Sequence, residues 1–252
     1  MIYREDAFSL IQKYVPDENR IKHSKASEVV LCALAQRWGE DEERGGKMPG
    51  FCMILALNWT CKSFICNRIF NTYKSSNHKK MNLIIREETR FDWPQITKIN
   101  NLAFGHKDEG KLVEKLRTTD AFVEGLSLVA EVDDCIVGHI LFTKIKIVND
   151  EKKHESLALA PIAVLPDFQN QGIGSSLVRE GLKKAKEKGF KSVVVVGHEK
   201  YYPRFGFKPA SSWNIRPPFQ VPDNEFMVLE LEPGSLENVS GVVHFSTPFN
   251  DL

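Results

Sequence analysis

The chain has 252 residues, 42% of them hydrophobic and 27% charged, a balance that sustains a packed core and excludes global disorder. Its 34 basic and 33 acidic residues nearly cancel, which argues against a protein built to coat nucleic acid or an anionic membrane. The longest strongly apolar run, Phe51 to Leu57, falls far short of the roughly 20 residues of a membrane span, the N-terminus lacks a secretory leader pattern, and the five cysteines form no regular framework, so a cytoplasmic chain with reduced thiols is expected.

Two helices are predicted first. Ala7, Phe8, Leu10, Ile11 and Tyr14 form an apolar stripe that ends at Pro16, and a second helix runs from about Ile21 to Trp38, with Gly39 as its stop. The run from Asn19 to His23, followed by this helix and by Gly39 to Glu43, resembles the opening of an HD-type metal-dependent phosphohydrolase domain. In that family a His-Asp pair follows the helix-borne histidine. No His-Asp dipeptide occurs here, and the pattern is left near Arg44, so residues 1 to 48 read as a helical remnant without a complete metal site. Residues 49 to 80 follow neither helical nor strand periodicity and carry basic residues but no acidic ones, which predicts an irregular basic linker. The domain boundary is placed at Met81.

From there the pattern is regular. A short strand (Leu83 to Arg86) leads to a helix capped by Asp92 and running to Phe104, then to a second helix over about 110 to 117. Two β-rich runs, 126 to 132 and 136 to 147, flank Asp133-Asp134 as a hairpin turn. A strand over 157 to 164, a helix from Gly172 to Lys188, a buried strand over 192 to 196, a short helix near Tyr201 and a last strand over 226 to 231 complete residues 81 to 252. Strands interleaved with helices predict a mixed α/β or α+β sheet domain.

The chemistry concentrates where the 157–164 strand enters the turn Gln169-Asn170-Gln171-Gly172-Ile173-Gly174-Ser175-Ser176, which opens directly into a helix. A helix N-terminus offers free N–H groups and a positive dipole end, and glycines let a phosphate approach the backbone. The turn lacks the Lys-Ser/Thr end of a nucleotide-hydrolysing P-loop and the three glycines of a dinucleotide fingerprint. It matches Gln-x-x-Gly-x-Gly. With the strand ending Pro161-Ile162-Ala163-Val164 and the run Tyr201-Tyr202-Pro203-Arg204-Phe205-Gly206-Phe207, it resembles the GNAT acetyltransferase superfamily over about residues 82 to 232.

That resemblance implies a mostly antiparallel mixed sheet flanked by helices, and acetyl-CoA as the acyl donor. It also implies donor contacts from Ile162, Ala163, Val164, Gln169, Asn170, Gln171, Gly172, Ile173, Gly174 and Ser175, with an oxyanion donor near Ala163 or Val164. By the same resemblance Tyr202, four residues before Gly206, is the general acid for the departing thiolate, with Tyr201 the alternative if the register slips by one. The acceptor is then an amine of a small molecule or protein, with no metal. The glutamate that several relatives carry on the donor strand is absent from Leu157 to Ala160, and His198, Glu199 and His139 remain unassigned candidates for the base. The competing expectation is a non-catalytic acyl-CoA-binding or regulatory module.

Overall fold

The computed structural model describes residues 82–149 and 152–251. The two helices predicted over residues 4 to 38, the HD-like remnant, the basic linker and Met81 lie outside the described residues.

The strand of residues Leu83–Glu87 (β1) reaches helices α1 (Trp93–Phe104) and α2 (Asp108–Leu116), and then the long hairpin of β2 (Phe122–Val132) and β3 (Cys135–Val148). Asp133 and Asp134, at φ 46° and 67°, form the hairpin turn, both in the left-handed region that a right-twisted two-residue loop needs. Next come β4 (Lys153–Val164), α3 (Ile173–Glu187), β5 (Ser192–Val196) and a short 3₁₀ turn over Tyr202–Phe205. The remaining strands are β6 (Lys208–Pro209), β7 (Ile215–Arg216), β8 (Phe226–Glu230) and β9 (Gly241–His244).

One sheet runs in the order β1-β2-β3-β4-β5-β8-β6, and every pair along it is antiparallel except β4 with β5. Where β2 ends opposite Thr143, β9 takes over the same edge of β3 at Lys146 to Val148 and carries β7 beside it. This is the mixed, mostly antiparallel α+β architecture expected.

Alternation along β3 sorts the two faces. Gly138 and Phe142 look toward α3. A side chain on Gly138 would press on Leu177, and one on Gly181 would lie 2.3 Å from the Phe142 ring, so the missing side chains let α3 sit close to the sheet. On the other face, Leu141 and Ala163 pack with Ile96, Ile99, Leu112, Val113 and Leu116 of α1 and α2. Further along, Ile145 and Ile147 pack with Leu236, Val239 and Val243 of the C-terminal segment.

Two local expectations are corrected. Asp92 does not cap α1 with its side chain; Arg86 grips its carboxylate through two nitrogens at 2.7 and 3.0 Å, and the Thr89 N–H and hydroxyl also donate to it. The donor strand begins at Lys153 rather than Leu157, because the charged Lys153-His154-Glu155 stretch keeps its register with β3 although it carries no apolar alternation.

Candidate active site

Strands β4 and β5 are paired only at Leu157 with Val193 and Ala158 with Val194. Beyond that point β5 stays with β8, while β4 follows β3 through a bulge that sets Ala160 and Pro161 against Leu141. A proline suits that position because it has no N–H to contribute to the ladder. The two strands therefore diverge, and the second edge of β4 from Leu159 to Val164 turns to a gap.

Backbone alternation decides which groups face it. The Leu165 N–H donates to the Val137 carbonyl at 2.8 Å, so Leu165 is turned toward β3, and Ala163, two residues earlier, is turned the same way. Ile162 and Val164 point their peptide groups into the gap. Ala163 is thus corrected: its backbone belongs to the ladder with His139, and its side chain is buried under α1 and α2.

The Val164 carbonyl accepts from the Gln169 side chain at 3.0 Å, and Gln171 donates to the Asp167 carbonyl at 3.1 Å. Both glutamines brace the turn from within. Asn170 and Gly172 take left-handed backbone at φ 61° and 83°, and Gly172 is the N-cap of α3. The Gly172 carbonyl receives the N–H and the hydroxyl of Ser176. In the first turn Ile173, Gly174 and Ser175 have N–H groups with no intrahelical acceptor, the geometry that receives an anion. The Ile173 side chain is buried, so only its backbone serves the loop.

The two tyrosines separate. A Cβ on Gly174 would lie 2.9 Å from the Tyr201 hydroxyl, 3.7 Å from Val164 and 3.9 Å from Ile162. Tyr201 therefore brings its hydroxyl to the donor loop, while the Arg204 guanidinium lies 4.1 Å over its ring and donates to its carbonyl. Tyr202 is 6% exposed, held edge-to-face by Tyr201 and Phe207, and its hydroxyl has no hydrogen-bond partner among the described residues. Burial, with the neighbouring Tyr201 phenol, pushes its pKa well above the ordinary phenol range, so it stays protonated.

Of the candidate bases, His198 and Glu199 are exposed at the end of β5. The His198 Nδ1 accepts the Lys200 N–H, and Glu199 accepts from Asn224. His139 is fully buried in a chain of hydrogen bonds. Ser127 gives its one proton to Glu88 at 2.6 Å, so the His139 Nε2–H donates to the Ser127 oxygen at 3.0 Å, and Nδ1 accepts from Asn100 at 3.2 Å. Arg117 closes the chain with two nitrogens on Glu88 at 2.7 and 2.8 Å. No substrate reaches His139 there. This network gave no sequence signal, since its five members come from five separate segments.

Comparison with known proteins agrees with this geometry. The family model described as Acetyltransferase (GNAT) family matches residues 91–207. The uncharacterized N-acetyltransferase YhbS of Escherichia coli is 32% identical over 169 residues, covering 67% of this chain and 99% of that protein. YjhQ, another uncharacterized N-acetyltransferase of Escherichia coli, is 35% identical over 133 residues, 52% of this chain and 74% of that one. The crystal structure of YhbS in complex with CoA superposes with a TM-score of 0.64 at 29% identity, over 69% of this chain and 96% of that one. A GNAT family acetyltransferase of Brucella melitensis, solved with acetyl-CoA, gives 0.55 at 32% identity over 67% and 98%. A strand that leaves its partner beside a glycine-opened helix, on the fold of these relatives, identifies this chain as a member of the GNAT family of acetyltransferases.

Proposed function

We propose that the protein is an acetyl-CoA-dependent N-acetyltransferase acting on an amine of a small molecule or protein. The observation that carries this reading is the gap between β4 and β5, with the free N–H groups of α3 at one end. The N–H groups of Ile173, Gly174 and Ser175 hold the pyrophosphate, with Gly172 opening the approach. Gln169 and Gln171 keep the turn rigid, and Asn170 supplies its left-handed corner. The Ile162 and Val164 peptide groups pair with the pantetheine arm, and the Val164 N–H, free of the ladder, serves as oxyanion donor.

A neutral amine attacks the thioester carbon. The new N–C bond forms, the carbonyl electrons move onto oxygen and return, and the C–S bond breaks with its electron pair going to sulfur. Tyr202 gives its proton to that thiolate and regains one from solvent, while the amine proton leaves to water. Two relatives solved with CoA or acetyl-CoA support the donor.

Thiol release from acetyl-CoA across a panel of amines, with mass spectrometry of products, tests the reading. An acetylated amine formed in step with free thiol supports it; tight acetyl-CoA binding without transfer to any amine would leave a binding module instead. We also place the domain boundary at Met81, because the regular strand and helix pattern starts there and the acetyltransferase family match, residues 91–207, lies wholly after it. Limited proteolysis should then leave a resistant C-terminal fragment that still binds acetyl-CoA.

A further inference from the structure

Seven glycines among the described residues adopt positive φ, where the backbone itself asks for glycine, and Gly197 is not among them. Its conformation is open to any residue. It follows β5 directly and donates its N–H to the Glu225 carbonyl at 2.9 Å, three residues beyond the last β4–β5 pair at Val194. What excludes a side chain there is one ring. A Cβ on Gly197 would lie 2.3 Å from Tyr202 Cε2, 3.1 Å from Cδ2 and 3.2 Å from Cζ, and no other residue supplies any of the three nearest atoms.

The ring has little room to retreat. Tyr201 meets it edge-on with centroids 5.0 Å apart, and Phe207 does so at 5.6 Å. Its backbone is fixed at the start of the 3₁₀ turn whose end, Gly206 at φ 95°, donates back to the Pro203 carbonyl. Tyr202 is thus located from three sides: by two aromatic edges and by a bare backbone on the β5 wall of the gap.

We infer that Gly197 is a positioning residue for the acyl transfer: its absent side chain is the seat that fixes the Tyr202 ring and aims its hydroxyl into the gap. This rests on the reading of Tyr202 as the proton donor. The substitution Gly197→Ala forces the ring to move by about an ångström to regain ordinary contact, and a displacement of that size at a catalytic group costs on the order of 10²-fold in turnover. The donor contacts on β4 and α3 are untouched, so acetyl-CoA affinity stays as it was.

The test uses the full chain, acetyl-CoA, and hydroxylamine as acceptor, a small amine that is neutral at neutral pH and needs no base, with the uncatalysed rate subtracted. Turnover is compared for Gly197→Ala, Tyr202→Phe and the double variant, with acetyl-CoA affinity measured by calorimetry. The expected result is a kcat loss of roughly 10²-fold for Gly197→Ala, unchanged donor affinity, and a double variant no slower than Tyr202→Phe alone, because the proton is already gone. If Tyr202→Phe is slow and Gly197→Ala is not, the seat is wrong while the acid stands. If Gly197→Ala slows the Tyr202→Phe background as much as the wild type, the glycine acts through something other than Tyr202. A Tyr202→Phe variant with full turnover overturns the acid reading and this inference with it. Should Gly197→Ala fail to fold, removing the ring must restore folding: Gly197→Ala combined with Tyr202→Ala should unfold at the same denaturant concentration as Tyr202→Ala, and a double variant that stays unfolded overturns the seat.

Discussion

Two polar regions, one on β1 to β3 under α1 and α2 and the other at the gap between β4 and β5, treat their hydrogen-bonding groups in opposite ways. Under α1 and α2, Asn100, His139, Ser127, Glu88 and Arg117 form a directed chain in which nearly every polar atom has a partner inside the protein. The exceptions are Asn100 Oδ1 and one Arg117 nitrogen. Trp93 adds its indole N–H to Glu88, and Arg117 lies 4.9 Å over the Trp93 ring. At the other site the reverse holds: among the described residues the first N–H groups of α3, the Ile162 peptide group, the Val164 N–H and the Tyr202 hydroxyl have no partners, and only the Val164 carbonyl is taken, by Gln169. The first region ties the helical pair to β1, β2 and β3, so its capacity is used up in holding the fold. The second keeps its capacity for a ligand. Unmet hydrogen-bonding capacity at an ordered place, rather than the presence of polar residues, is what marks the site.

The sharpest way to break this contrast is to remove one group from each region and read both turnover and stability. Tyr202→Phe should lower turnover by roughly 10² to 10⁴-fold while the midpoint of urea unfolding hardly moves, since the lost hydroxyl has no hydrogen-bond partner among the described residues. A variant that unfolds early would show that the hydroxyl serves packing.

Arg117→Ala should do the opposite. Both partners are buried, at 6% and 7% side-chain exposure, and the change leaves the Glu88 charge without its cation. A loss of about 3–5 kcal/mol in unfolding free energy is expected, with kcat of the molecules that remain folded little changed.

Gly174→Val sharpens the donor half. A side chain there meets the Tyr201 hydroxyl and stands between the helix N-terminus and the pyrophosphate. Acetyl-CoA affinity should weaken by about 30-fold, roughly 2 kcal/mol, in a variant that keeps its circular dichroism. Unchanged calorimetric affinity would remove this loop from the donor site.

The smallest effect is the pH dependence of the inner network. Burial lowers the His139 pKa from 6.5, against the pull of Glu88 and with the push of Arg117. The unfolded chain therefore takes up this proton first, and the stability His139 contributes is complete above pH 6.5 and declines as the pH falls below it. Burial works to raise the Glu88 pKa, but hydrogen bonds from Arg117 and Ser127, with the His139 ring close by, outweigh it and hold the group at about 2, below its ordinary 4.5. Its contribution is complete above pH 4.5 and is lost as the pH falls toward 2. Denaturation followed against pH should show both declines, and His139→Gln should abolish the upper one alone.

The elements and the donor loop were legible because their causes are local. The Asp133-Asp134 turn, the apolar face of α3 and the glycine-opened helix start each need only neighbours a few residues away. The strands β6, β7 and β9 were missed because two to four residues carry too little periodicity to stand out, and their pairing depends on distant partners. Ala163 and Val164 were indistinguishable as oxyanion donors in the sequence, since which of them faces the gap follows from how β4 hydrogen-bonds to β3.

The family, the glycine-opened start of α3 and the Tyr201-Tyr202 pair from which the proposed site is built were thus legible in residue order alone, as matters of spacing along one chain. The assignment of Tyr201 to the loop and Tyr202 to the sheet, the partnership of Arg86 with Asp92, and the need for glycine at 197 were decided only in three dimensions. At Gly197 the reason is plainest: its φ permits any side chain, and what forbids one is an aromatic ring brought back onto it by the turn that follows.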